Sequence, residues 1–202
     1  MIINKAIHYY SSYNINDFIR KCIYKLLQLK SAYTTRFFKK IYYFKNSQII
    51  LGRNVRTEGF TPHIQVGNKT NIYDNCIFVI SSHNAKLSIG VHCVLSYGVL
   101  VACHEEVSIG DNVLIGEYTS IRDTTHNYSD LSVPMMFSGD SSKKISIHSD
   151  VWIGRGCIIL PGTTIQKGAI IGANSVVSGN IESYGIYAGS PARLIKKRSE
   201  QK

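Results

Sequence analysis

Seven histidines, five cysteines and thirteen acidic side chains are among the groups in this 202-residue chain that can move a proton, attack a carbonyl or hold a metal. Past residue 60 the histidines stand at 63, 83, 92, 104, 126 and 148, with successive gaps of 20, 9, 12, 22 and 22. An imidazole has an ordinary pKa near 6.5, so at neutral pH it is largely unprotonated and able to take a proton from a hydroxyl or an amine. Cysteines 22, 76, 93, 103 and 157 are odd in number and show no C-x-x-C pair, which argues against a disulfide framework or a zinc ribbon and for reduced thiols. Which of these groups does chemistry depends on the elements that place them.

Composition limits those elements. A hydrophobic share of 44% and a charged share of 18% fit a globular chain and oppose a disordered or collagen-like one. No apolar run approaches the ~18 residues that span a bilayer, and Met1 to Tyr10 lacks the pattern of a secretory leader, so an intracellular, cytoplasmic protein is expected. The net charge of +10 sits at the ends: residues 1–45 hold nine Lys/Arg against one Asp, residues 193–202 hold five against one Glu, and the stretch between is slightly acidic.

The first 45 residues contain neither Pro nor Gly, and Phe18, Cys22, Leu26 and Leu29, then Phe37, Ile41 and Phe44, recur at helical spacing. The pattern predicts an amphipathic basic helical segment over residues 1–46. Its lysines, arginines and interleaved tyrosines suit peripheral contact with an anionic membrane, here the inner face of the cell membrane. Docking on the protein itself or on a neighbouring subunit is the plainer reading.

Beyond Asn46 the character changes and a period of six appears. Ile147, Ile153, Ile159, Ile165, Ile171 and Val177 recur without a gap, each followed four residues on by a mostly small or β-branched residue: Val151, Cys157, Thr163, Ala169, Ser175 and Ile181. The same phase runs through Ile109, Ile115 and Ile121 (with Val113, Thr119, Thr125), through Ile89, Leu95 and Val101 (with Cys93, Val99, Glu105), and through Val66 and Ile72 (with Thr70, Cys76). A helix would scatter these aliphatics over three faces, whereas an even period keeps them on one side of a strand. Thirteen Ile/Val/Thr and six Gly within residues 147–182 favour short strands broken by turns. The expectation is an all-β solenoid of stacked parallel strands, with Cys76, Cys93 and Cys157 as core residues. The rhythm fails between Ile121 and Ile147, where a polar, Pro/Gly-punctuated stretch predicts an excursion loop over 127–145.

These units, together with Val151-Trp152-Ile153-Gly154, Leu160-Pro161-Gly162-Thr163-Thr164-Ile165, Ile171-Gly172-Ala173-Asn174-Ser175 and the ending Tyr187-Ala188-Gly189-Ser190-Pro191-Ala192-Arg193, resemble the hexapeptide-repeat acyltransferases. The likeness is nearest to the maltose, galactoside and bacterial surface-polysaccharide O-acetyltransferases and covers about residues 47–198. It implies a left-handed parallel β-helix over 47–186 followed by the AGSPAR segment and basic tail of 187–202. It also implies a homotrimer with active sites between subunits, acetyl-CoA as co-substrate and no metal.

Carried over residue by residue, the resemblance makes His126, in Asp123-Thr124-Thr125-His126, the general base of a direct attack with no acetyl-enzyme. Asp123 then orients the imidazole or bonds the acceptor, unless it is a solvated turn residue. Trp152 lines the cleft or packs at a subunit interface. Arg155, Ala173, Ser178 and Gly179 fall along the pantetheine arm, and Arg193 and Lys196 meet the nucleotide phosphates, as a guanidinium fork and an ammonium suit. That use of the basic C-terminus leaves no need for nucleic acid. The family's Asn or Asp pair before the histidine is absent, its stretch here reading Ser96-Tyr97-Gly98 to His104; Arg155 stands where a small residue is common and Gly179 where a lysine often is.

The function implied is acetyl transfer to a hydroxyl of a bacterial surface carbohydrate, a capsule or lipopolysaccharide O-antigen sugar. Amino-sugar N-acetylation is the alternative, and a non-catalytic scaffold a lesser one. A zinc lyase resembling the gamma carbonic anhydrases needs two histidines five residues apart, a pair this sequence lacks. The basic first segment yields a prediction of its own: pelleting with vesicles rises with the fraction of anionic lipid and falls with added salt. Binding indifferent to lipid charge would reject membrane contact.

Overall fold

The computed structural model describes Phe44, residues 48–59 and residues 64–198. The chain divides into two units, Met1–Lys39 and Lys40–Lys202, and everything described belongs to the second. The expected N-terminal helices lie outside the described residues apart from Phe44, which is buried edge-on against Phe78 with ring centroids 5.6 Å apart.

The hexad rhythm becomes a parallel β-solenoid with three faces. Face A stacks Ile50–Leu51, Asn71–Ile72, Val94–Leu95, Leu114–Ile115, Trp152–Ile153, Ile170–Ile171 and Gly185–Gly189. Face B stacks Arg56–Gly59, Ile77–Ile80, Leu100–Cys103, Ser120–Arg122, Ile158–Ile159 and Val176–Val177. Face C stacks Ile64–Val66, Lys86–Ile89, Glu106–Ile109, Ile145–Ile147, Thr164–Ile165 and Asn180–Ile181. Register is strict where the hexads are unbroken: Ile153 pairs with Ile171 and Ile159 with Val177, one eighteen-residue coil on. Ala192–Lys197 then turns back antiparallel on Gly185–Gly189 and covers the open edge of face A.

Both inward positions of each hexad fill the core. Ile147, Ile153, Ile159, Ile165, Ile171 and Val177 are buried, as are Val151, Cys157, Thr163, Ala169, Ser175 and Ile181. The inward hydroxyls cost little because each has a carbonyl within reach: Thr119 Oγ1 donates to Gly154 O at 3.1 Å, Thr163 Oγ1 to Leu160 O at 2.6 Å and Ser175 Oγ to Gly172 O at 2.6 Å. The glycine after an inward isoleucine answers to stacking: a Cβ on Gly154 would stand 2.7 Å from Ala173 N on the next coil. Two inward expectations fail, Thr125 being exposed and Glu105 half-buried. Both flank the place where the chain leaves the coil, and Asp123 turns inward there instead.

The outer surfaces differ. Face A presents Ile50, Leu114 and Trp152 exposed, with Val94, Ile170 and Ile186 half-buried. Face B presents Ile77, Leu100, Ile158 and Val176. Face C presents Gln65, Ser88, Ser108, Ser146, Thr164 and Asn180 in one row. No helix among the described residues is long and apolar enough to cross a membrane.

The buried thiols are core groups, and Cys103 joins the three expected from the repeat. Burial pushes Cys76 up to about 11; burial and then the Asp123 carboxylate push Cys103 up to about 12. Cys93 and Cys157 are raised by burial as well. A raised thiol pKa keeps the unreactive protonated form at pH 8. Iodoacetamide at that pH is therefore expected to leave these four unmodified in the native protein and to label all of them after unfolding, read by peptide mass spectrometry; native labelling of Cys103 would contradict the packing.

Candidate active site

After Arg122 the chain leaves face B and forms a hairpin off the corner between faces B and C. Thr124–His126 pairs antiparallel with Asp140–Ser142, placing His126 opposite Asp140, Thr125 opposite Ser141 and Thr124 opposite Ser142. The expected excursion over 127–145 is thus opened by a strand that already contains His126, and the core is rejoined at Ile145. The hairpin is fastened at both ends: Asn127 N donates to Gly139 O at 2.9 Å beyond the His126 pair, and Lys143 N donates to Asp123 O at 2.8 Å at its base. Lys144 Nζ donates to Glu106 Oε2 at 2.8 Å, which raises the lysine pKa. At the tip, Tyr128, Leu131, Met135, Met136 and Phe137 are exposed.

Asp123 is fully buried. One carboxylate oxygen accepts from His104 N at 2.8 Å and Thr124 Oγ1 at 2.9 Å, the other from Glu105 N at 2.8 Å and Glu106 N at 2.9 Å. A carboxylate so surrounded is a fixture of the corner. The acid that meets the imidazole is Asp140: His126 Nδ1 lies 2.6 Å from Asp140 Oδ1. No partner is recorded for Nε2 among the described residues, and the His126 side chain is 76% exposed. Sequence reasoning missed Asp140 because nothing within an irregular loop announces which residue will stand across the hairpin from His126. The nearest signal is Gly139, whose positive φ of 71° lets the chain turn into the return strand.

His104 sits on the same corner one coil earlier, its Nδ1 3.3 Å from Ser81 Oγ. Among the described residues no group of His, Cys, Asp and Glu could hold a metal ion.

The remaining expected residues are spread over the solenoid. Ser178 and Gly179 stand exposed on the B/C corner, in line with the hairpin, and a Cβ on Gly179 would meet nothing within 4 Å. Trp152 points outward from face A, stacked between Leu114 and Ile170. Arg155 and Ala173 are exposed on the A/B corner, where Arg155 Nε lies 3.4 Å from Glu117 Oε1. Arg193 and Lys196 are exposed on the terminal antiparallel strand. One chain therefore gathers His126, Ser178 and Gly179 on one corner and carries Trp152, Arg155 and Ala173 elsewhere.

Residues 144–179 match the family described as bacterial transferase hexapeptide (six repeats). The chain is 36% identical over 110 residues to the Escherichia coli K12 protein WbbJ, which carries the name of a lipopolysaccharide biosynthesis O-acetyl transferase; the match covers 51% of this chain and 56% of that one. It is 30% identical over 144 residues to the dTDP-4-amino-4,6-dideoxy-D-glucose acyltransferase of Escherichia coli, covering 69% and 74%. The chain spans about half the length of the first curated relatives it matches. Among solved structures, a hexapeptide-repeat acetyltransferase from Vibrio cholerae O1 biovar eltor, complexed with acetyl coenzyme A, is 25% identical with a TM-score of 0.56 and covers 83% of this chain and 78% of that one. The fold of the N-acyltransferase AntD from Bacillus cereus, in complex with dTDP and 3-hydroxybutyryl-CoA, is similar at 24% identity and a TM-score of 0.64, covering 82% and 88%.

The placement of Asp123 has a measurable consequence. Asp123→Ala strips three partly buried amides of their acceptor, at about 1–3 kcal/mol for each group left unsatisfied and partly recovered by water. A loss of roughly 3 kcal/mol of unfolding free energy is expected in urea titration. A loss of activity with unchanged stability would instead make Asp123 part of the reaction.

Proposed function

Because the chain belongs to the bacterial hexapeptide-repeat transferases, we propose that it is an acetyl-CoA-dependent O-acetyltransferase acting on a hydroxyl of a bacterial surface carbohydrate, a capsule or lipopolysaccharide O-antigen sugar. The observation that carries this reading is the imidazole of His126, held at Nδ1 by a carboxylate and with its side chain 76% exposed at the loop end of the hairpin ladder. Its likeness to WbbJ supports a sugar hydroxyl as acceptor.

In this mechanism Nε2 takes the proton of the acceptor hydroxyl as that oxygen attacks the thioester carbonyl. The C–S bond breaks when the tetrahedral intermediate collapses, and the imidazolium returns its proton to the departing thiolate of CoA. No acetyl-enzyme forms. Ser178, Gly179 and the basic strand bearing Arg193 and Lys196 are the residues that suit CoA: Gly179 leaves room beside the backbone, and exposed cations suit its phosphates.

The proposed assembly is a homotrimer of left-handed β-helices. The apolar outer residues of faces A and B favour covering by neighbouring copies and the polar row on face C favours water. In that arrangement Trp152 of one copy lines the cleft beside His126 of the next. The enzyme would work in the cytoplasm at the inner face of the cell membrane, on an acceptor presented there.

Transfer to an amino sugar is the second reading, favoured by the relative named for a dTDP-4-amino sugar acyltransferase. An amine would need the same cofactor site and the same base.

Sedimentation is expected to give about three times the chain mass, and calorimetry saturable acetyl-CoA binding at about one site per chain, weakened by Arg193→Ala. With a sugar acceptor, His126→Ala should lower kcat by about 10²- to 10⁴-fold while leaving CoA binding intact. Full turnover in that variant would refute the base. Product stable to hydroxylamine, as an amide is and an ester is not, would decide for the amino-sugar reading.

A further inference from the structure

We propose that Asp140 is the positioning residue of this reaction: its carboxylate keeps the imidazole proton of His126 on Nδ1 and fixes the ring so that Nε2 is the basic atom presented to the acceptor. The inference rests on reading His126 as the base. A nitrogen and a carboxylate oxygen 2.6 Å apart require a proton between them, and of the two ring tautomers only the Nδ1–H form supplies it. Free imidazole offers both tautomers, so a base that must act through Nε2 gains from a neighbour that removes the wrong one. The same carboxylate lowers the energy of the imidazolium that forms once Nε2 has accepted a proton, since charge then develops 2.6 Å from an anion.

The backbone makes this contact a built feature. His126 and Asp140 are directly opposed in the antiparallel ladder, an arrangement that brings side chains to the same face of the hairpin. The bond from Asn127 N to Gly139 O, immediately beyond the pair, and the one from Asn127 Nδ2 to Ser138 O at 3.0 Å fix the register. Gly139 has φ +71°, a left-handed conformation that a side chain would strain. The other nearby acid, Asp123, is occupied by four donors.

Both members of the pair are well exposed, the side chains at 76% and 49%. An exposed ion pair adds little to folding stability, so a large effect on turnover at this position cannot arise from loss of structure. The pair also differs from a buried triad in that water and salt weaken it, and its removal should cost less than the ~10⁴-fold seen when a buried triad carboxylate is neutralised.

The test uses the full-length protein labelled with ¹⁵N-histidine, the resonances of His126 being those lost in His126→Ala. At a pH where the ring is neutral, the native protein is expected to show Nδ1 protonated and Nε2 bare. In Asp140→Asn and Asp140→Ala the ring should revert toward the mixture of free imidazole, in which Nε2–H dominates. With it kcat should fall about 10- to 100-fold, KM for acetyl-CoA should stay within about twofold, and the melting temperature should hardly move. Asp140→Glu, which keeps the anion on a longer arm, should restore the Nδ1–H tautomer and most of the rate. An unchanged tautomer in Asp140→Asn and Asp140→Ala overturns the proposal whatever happens to kcat, and so does a rate loss with the tautomer preserved. Failure of the base reading is distinguishable: His126→Ala then retains turnover, while the tautomer in the native protein still reports the contact.

Discussion

Every coil of this solenoid hangs on the backbone hydrogen bonds that run between it and the next. Strands of two residues, such as Trp152–Ile153 or Ile158–Ile159, have no stability alone and exist because equivalent residues of adjacent coils exchange bonds in strict order. Ile158 N donates to Ser175 O at 2.8 Å and Leu160 N to Val177 O at 2.9 Å, and the same pattern repeats on each face. That constraint dictates the sequence. An inward residue must match the one stacked above and below it in size, or the coils part and the bonds lengthen; hence isoleucine and valine at one inward position and small or β-branched residues at the other.

A stack of this kind resists interruption, which makes the corner at Asp123 informative. Lys86 N donates to Glu105 O on the next coil at 3.0 Å. Glu106, the register partner of Lys86, would need a carbonyl from the following coil, but there the chain has departed into the hairpin. The carboxylate of Asp123 takes the place of that backbone, accepting from Glu106 and from the two preceding amides. One buried acid thus lets the solenoid carry an insertion of some twenty residues without orphaned donors, a debt that in a low-dielectric interior is large. Asp123, next in the chain to the strand bearing His126, is therefore bonded to three backbone amides and the Thr124 hydroxyl, while the acid beside the imidazole is Asp140.

What the sequence made legible follows the same division. The three-faced stack could be read because its constraint is periodic: each core position repeats its neighbour, and Ile147 to Val177 state the rule six times over. His126 could be singled out as a candidate by the motif that surrounds it. Asp140 could not, since hairpin pairing depends on where the turn closes, and the loop from Asn127 to Gly139 is set by particular bonds, such as Ser132 N and Oγ to Asp130 Oδ1 at 2.9 and 2.6 Å. The repeat also misled at its boundary. It aimed Thr125 and Glu105 inward because periodicity does not know that the coil ends at Asp123. Residue type did not announce that Asp123 would be buried among four donors in place of standing as a solvated turn residue.

The described chain leaves the imidazole open on one side, and this bears on how it can work. In the proposed reaction, acyl transfer from a thioester competes with hydrolysis, so water must be kept from the carbonyl while the acceptor attacks. A histidine side chain 76% exposed does not do that alone. Yet the same hairpin ends in Leu131, Met136 and Phe137, exposed at 96%, 87% and 78%, and face A carries Leu114 and Trp152 outward with nothing described above them. These two apolar surfaces lie on different parts of one molecule. Contact between unlike patches on identical copies is heterologous, and it closes only as a ring. The ring proposed here would cover both surfaces at once and put an aromatic wall opposite Nε2, so that exclusion of water, which a single chain lacks, comes from the same burial that holds the assembly together.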